Sequence, residues 1–235
     1  MLGYFLADGV SSADYGIYLT DANVYGIAER DVTALSVAGR NGDLLFDNKR
    51  YKNKQFSYPC IIRQDFNTHF SAFINYLLSR DGYIRVEDSF NPETFVLARY
   101  VGETDPKKVA TRGTDGVFEL TFDRCPQRFL KAGEKALTLS QGATIKSVYP
   151  MTARPLVRAY GTGSVIINGV TIQILSADGY TDIDCETQNA YKGSVNCNGN
   201  ITLTDGRFFT LESGNNIISM SGVSKIDLTP RWWIL

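Results

Sequence analysis

Most of the chain alternates apolar and polar residues with a period of two. Phe118, Leu120 and Phe122 are separated by Glu119 and Thr121. Successive strand side chains point to opposite faces, so this spacing predicts half-buried β-strands. The segments 83–87, 95–101, 164–167, Val170–Ile174, Ile201–Leu203, 208–211 and 225–228 read the same way. One segment has a helical period instead. Phe66, Phe70, Phe73, Leu77 and Leu78 fall at i, i+4, i+7, i+11 and i+12. That stripe predicts a helix over 68–79, capped at its start by Asn67 or Thr68, ended by Asp81-Gly82, and laid on a sheet.

Eight Asn-Gly or Asp-Gly pairs punctuate the pattern, at positions 8, 41, 81, 115, 168, 178, 198 and 205. A two-residue type I′ turn needs positive φ at both central residues, and Asn or Asp followed by Gly meets that need at least steric cost. Such turns join antiparallel strands, so the pairs predict a chain built of hairpins. The clearest runs through Asn168-Gly169. Mostly-β architecture excludes the usual α/β nucleotide-binding folds. No Walker A sequence, no GxGxxG after a strand, no HExxH and no GxSxG elbow contradicts that exclusion.

Size, composition and charge refine the picture. A chain of 235 residues with 43% hydrophobic and 12% aromatic residues can hold one large β domain or two ordinary ones. Helical period ends before Lys131-Ala132-Gly133-Glu134, and about 100 residues of short strands follow. We therefore expect an N-terminal β domain with the helix at 1–135 and a second β domain at 136–235. A net charge of −1 points to neither nucleic acid nor an anionic membrane. No apolar run is long enough to span a bilayer, and the start lacks the pattern of a signal peptide. Cys60, Cys125, Cys185 and Cys197 show no CxxC spacing and read as buried free thiols.

Candidate chemistry is sparse. His69 is the only histidine, which rules out a His-based metal cluster, and we expect it on the surface. Asp182, Asp184 and Glu186 alternate with Ile183 and Cys185, placing three carboxylates on one strand face. That face could serve a cation or glycoside hydrolysis, but nothing nearby supplies further ligands, and a solvated face is expected. Lys49, Arg50, Lys52 and Lys54 surround Tyr51; such a cluster could touch a phosphate backbone, but a solvated loop or a contact with an acidic protein is expected. The adjacent Trp232 and Trp233 point to opposite faces if they lie on a strand. One would fill its own core and the other would need a second domain or subunit; a core-only account remains open.

The order of several short motifs resembles the distal tail protein (Dit) family of long-tailed bacteriophages. The motifs are Ala38-Gly39-Arg40-Asn41-Gly42-Asp43-Leu44, Ala153-Arg154-Pro155-Leu156-Val157-Arg158-Ala159-Tyr160-Gly161, the Asn168-Gly169 hairpin, Ile183-Asp184-Cys185-Glu186, Leu211-Glu212-Ser213-Gly214-Asn215-Asn216-Ile217-Ile218 and Pro230-Arg231-Trp232-Trp233. They span nearly the whole chain. Tyr149-Pro150-Met151-Thr152 departs from the Asn-Pro common before this strand. The resemblance implies a mainly β fold with one helix in the first domain and a galectin-like β-sandwich in the second. It implies a non-enzymatic, cofactor-free virion protein, assembled in the host cytoplasm, whose hexameric ring joins the major tail protein to the tail-associated lysin or tip protein. Such rings often anchor receptor-binding proteins. The family's inter-subunit hairpin maps to Arg40, Asn41, Gly42, Asp43 and the strands that follow, with Lys49, Arg50, Lys52, Trp232 and Trp233 as further interface candidates. The competing function is a carbohydrate-binding module, because the second domain is galectin-like.

Overall fold

A computed structural model describes residues 2–22, 25–102, 104, 106–108 and 115–235. It divides into two compact units, one running to Arg128 and including Leu235, the other Phe129–Ile234. The first unit contains β1 (Phe5–Ala7), β2 (Val10–Ser11), β3 (Ile17–Leu19), β4 (Arg30–Leu35), β5 (Leu44–Tyr51), β6 (Lys54–Ile62), the helix α1 (Phe66–Leu78), β7 (Ile84–Asp88), β8 (Thr94–Tyr100), β9 (Lys107–Lys108) and most of β10 (Gly116–Leu130). Its main sheet runs β2-β1-β7-β8-β10-β6-β3, and a bridge from Gly3 to Leu19 curls it back toward its first strand. Inward residues of alternate positions, among them Phe5, Tyr58, Val86, Leu120 and Phe122, form one core with Phe66, Phe73 and Leu77 of α1. The aromatic alternation of β10 thus does what its period requires: Glu119 stays exposed and Thr121 half-buried while Leu120 and Phe122 are fully buried.

The helix begins and ends earlier than the sequence spacing predicts. Asp65, at φ 49° and with no side-chain capping bond, precedes its first turn, so neither Asn67 nor Thr68 caps it. Ser79 closes it, and Gly82 serves only the turn into β7. Leu78 lies off the stripe formed by the buried Phe66, Phe73 and Leu77 and is 65% exposed.

The second unit continues with β11 (Leu137–Leu139), β12 (Thr144–Ser147), β13 (Leu156–Tyr160), β14 (Gly163–Ile167), β15 (Val170–Ile174), β16 (Tyr180–Asp184), β17 (Asn189–Lys192), β18 (Val195–Asn196), β19 (Ile201–Leu203), β20 (Gly214–Ser221), β21 (Lys225–Thr229) and β22 (Trp233–Ile234). Two antiparallel sheets, β11-β21-β13-β16-β17-β18 and β12-β20-β14-β15-β19, share one core. Val157, Ile183, Ile226 and Leu228 face Val165, Ile167, Ile172 and Ile218 across it. This is a β-sandwich. Residues 208–211 form no strand; Leu211 makes a single bridge to Ala153.

The eight Asn/Asp-Gly pairs prove to be of several kinds. Only Asp8-Gly9 (φ 51° and 82°) and Asn168-Gly169 (φ 51° and 80°) have positive φ at both residues, and both close two-residue hairpins. Gly42, Gly82, Gly179 and Gly206 supply one positive φ each within longer turns. Asn198-Gly199 lies in a 3₁₀ turn, and Gly116 opens β10 where a Cβ would sit 2.3 Å from the Phe66 ring.

Candidate functional site

The arm β4–β5 is the feature of the first unit that its own packing does not explain. These strands pair with each other and with no other described strand. In register, Leu35 faces Leu44 and Thr33 faces Phe46 on one side of the ribbon, while Ala34 faces Leu45 and Val32 faces Asp47 on the other. Leu35, Leu45 and Phe46 are 51%, 65% and 52% exposed. Both faces of the ribbon therefore carry uncovered apolar side chains, and a lone two-stranded ribbon is marginal in water. The eight-residue connection 36–43 holds Arg40, Asn41, Gly42 and Asp43, all exposed, and Val37 at 41%. It is a loop with Gly39 and Gly42 in the left-handed region, longer than a two-residue turn.

The basic cluster predicted as a loop is instead a bulge on β5. Between the pairs Arg30–Tyr51 and Val32–Asp47 the register shifts, and Lys49 takes φ 54°. Asp47 accepts from the Lys49 N–H at 2.7 Å and from the Arg30 guanidinium at 2.9 and 2.6 Å. Arg50 donates to Asp31 at 2.7 Å, and Lys52 lies 3.6 Å from Glu29. The Arg50 and Arg30 hydrogen bonds hold the Asp31 and Asp47 carboxyls below the usual carboxylate range. Arg50 and Lys52 thus brace the arm from within.

The arm's root is anchored in the core by residues the sequence reading passed over. The Tyr25 hydroxyl donates to Asp88 at 2.6 Å and lies 2.9 Å from the Tyr58 hydroxyl, which also reaches Asp88 at 3.0 Å. Burial, and then the Asp88 carboxylate, push the Tyr25 phenol far above its ordinary range. The fully buried Arg124 donates to the carbonyls of Gly26, Cys125 and Pro126. Nothing in the local spacing of Tyr25 or Arg124 marks these long-range contacts. The arm's apolar character was legible, because Leu44-Leu45-Phe46 cannot all face one side of a strand.

The remaining candidates resolve into structure. Asp182 and Asp184 do not form a solvated face; both are buried, at 3% and 6% exposure. Arg158 grips Asp182 at 2.7 and 2.9 Å, and Arg231 grips Asp184 at 2.7 and 3.0 Å, each in a two-point fork. Glu186 lies beyond the strand and is exposed. Arg231 has φ 57°, and of the two tryptophans only Trp233 lies on a strand. Trp232 is buried in the sandwich core and Trp233 packs half-buried against it, donating to the Thr152 carbonyl at 2.9 Å. His69 is half-buried beside Gly16, with Nδ1 buried and unpartnered. The cysteines are free; Cys60, Cys185 and Cys197 are buried and Cys125 is half-buried. Among the described residues, no cluster of three or more His, Cys, Asp or Glu could hold a metal, and no helix is long and apolar enough to cross a membrane.

The fold itself is shared with a solved protein. The crystal structure of the SPP1 Dit protein, described as a paradigm of the hub adsorption apparatus of phages infecting Gram-positive hosts, superposes with a TM-score of 0.75 at 13% identity. The match covers 99% of this chain and 100% of that one. This chain has the Dit fold. No family model and no curated protein matches the sequence. At 13% identity the likeness is one of fold rather than of shared side chains.

Proposed function

We propose that this protein is a structural component of a phage tail, a hub whose copies close into a hexameric ring joining the tail tube to the tail tip and its receptor-binding components. The observation that carries this reading is the β4–β5 arm: a braced, rooted ribbon with apolar residues bare on both faces, in a chain that has the fold of a hub protein from end to end. Exposed apolar surface of this kind marks an interaction site. In the ring, Leu35, Leu45, Phe46 and the tip residues Arg40, Asn41, Gly42 and Asp43 meet the neighbouring copy, while Lys49, at the exposed bulge, contacts it at the edge. A stable contact buries on the order of 1,000 Å² or more in total. Cyclic closure is heterologous, so a single surface change weakens every junction at once. No catalytic step, metal or cofactor enters this reading.

Leu45→Glu with Phe46→Glu tests it. Both positions are exposed in the single chain, so the double variant is expected to keep the wild-type melting temperature while losing the ring in size-exclusion chromatography with light scattering. A variant that still assembles as the wild type does would remove the arm from the interface.

A further inference from the structure

We propose that Asn41, at the tip of the β4–β5 arm, is a site of spontaneous covalent modification. In the unassembled chain it deamidates to aspartate and isoaspartate, with water as the only co-reactant. The backbone nitrogen of Gly42 attacks the side-chain carbonyl carbon of Asn41, and the new C–N bond closes a five-membered succinimide. Ammonia leaves, carrying the proton that the Gly42 nitrogen gives up. Water then opens the ring at either carbonyl, so asparagine and water become aspartate or isoaspartate and ammonia. Nothing is oxidised or reduced. A folded chain permits this where the asparagine side chain is free to turn, the following N–H has no acceptor, and nothing crowds that nitrogen.

Three asparagines precede glycine in this chain, and all three are exposed, so exposure alone does not rank them. Hydrogen bonding does. Neither the Asn41 side chain nor the Gly42 N–H bonds to another described residue. The pair lies in a bend of the 36–43 connection, past the turn that the Arg40 N–H closes on the Val37 carbonyl at 3.1 Å. A Cβ at Gly42 would meet no atom within 4 Å, so the approach to its nitrogen is open. Asn168, by contrast, is held at three points. Its amide donates to Asn216 Oδ1 at 2.7 Å and to the Thr210 carbonyl at 3.3 Å, and its Oδ1 accepts from the Ile217 N–H at 3.1 Å. The Asn198 Oδ1 accepts from the Ala190 N–H at 2.6 Å, and its amide donates to Asn189 at 3.1 Å. Those bonds must break before either amide can turn toward its glycine. At Asn41 the reaction replaces a neutral amide with a carboxylate, giving a tip where Arg40 and Asp43 now balance one surplus negative charge. The isoaspartyl product also lengthens the main chain by one carbon. None of this depends on the hub reading; a neighbouring copy seated on the tip would shield it.

Peptide mass mapping tests this on full-length protein aged in mildly alkaline buffer, wild type beside Leu45→Glu/Phe46→Glu, the latter expected as single chains. Exchange of an amide for a carboxyl group changes a peptide's mass, whereas isomerisation at the Asp-Gly pairs does not. In at least one of the two preparations the Asn41 peptide is expected to convert about tenfold or more faster than those of Asn168 and Asn198, because two or three hydrogen bonds must first break at the slower sites. Its product should separate by chromatography into aspartate and isoaspartate. Fast conversion in the double variant alone supports the proposal and marks a tip covered by assembly. Fast conversion in both preparations supports it equally and argues against a covered tip, so the two readings fail separately. In urea the three sites should convert at similar rates, since unfolding frees the two that are held. An Asn41 peptide no faster than the others in both preparations, or the same ranking kept in urea, would overturn the proposal.

Discussion

Asn168 and Gly169 sit at φ 51° and 80° in a two-residue turn, and a Cβ on Gly169 would meet no atom within 4 Å. The only barrier to a side chain there is the backbone conformation. Gly169→Val is therefore expected to cost about 1 kcal/mol or more and to lower the melting temperature by a few degrees; an unchanged melt would contradict the type I′ geometry. Asp184 is a different case, a buried carboxylate whose partner Arg231 retains 28% side-chain exposure. Burial opposes its ionisation, but the Arg231 fork and the N–H groups of Thr187 and Glu186 outweigh that and hold its pKa below the usual carboxylate range. Asp184→Asn is expected to destabilise the sandwich by about 2 kcal/mol, less than a fully buried pair would lose, because Arg231 can still reach water. A depressed folded pKa gives stability that is complete above the unfolded value, about 3.9, and is lost as pH falls through the folded one. The gap between wild-type and variant melts should hold at neutral pH and close below about pH 4. A gap independent of pH would show that the carboxylate's charge is not what holds the segment.

The strands and the helix were legible in the sequence because each follows from a local period. Phe118, Leu120 and Phe122 had to share a face, and the Asn168-Gly169 turn had to join β14 to β15 in the register observed. The Phe66, Phe73 and Leu77 stripe located α1, but its start moved by two residues because Asp65 enters the helix through a left-handed conformation that no side-chain cap signals, and its end moved by one because Ser79 closes it. What failed was the inference from a local pattern to an environment. Asp182 and Asp184 alternate like a solvated face, yet guanidinium groups brought from β13 and from the 230–234 segment cover them. Residue spacing along one strand does not say what the neighbouring strand supplies. Lys49, Arg50 and Lys52 are exposed as expected, but on and beside a bulged strand rather than in a loop, and the spacing did not show that Asp31 and Glu29 stand opposite Arg50 and Lys52. Of the candidate site, the apolar run Leu44-Leu45-Phe46 was readable as surplus to one face; the Tyr25–Asp88–Tyr58 anchor depends on residues far apart in sequence and was not.

At the scale of the molecule, the Dit fold accounts for both units, and the arm is the element whose surface remains unexplained in a single copy. The ring proposed above would cover it, each ribbon lying against the next copy. The most direct test is the native mass of the purified wild-type protein at micromolar concentration. The account predicts six 26.1 kDa chains, about 157 kDa, with the same particle showing a central opening by electron microscopy. A monodisperse 26.1 kDa species, unchanged as concentration rises, would contradict it.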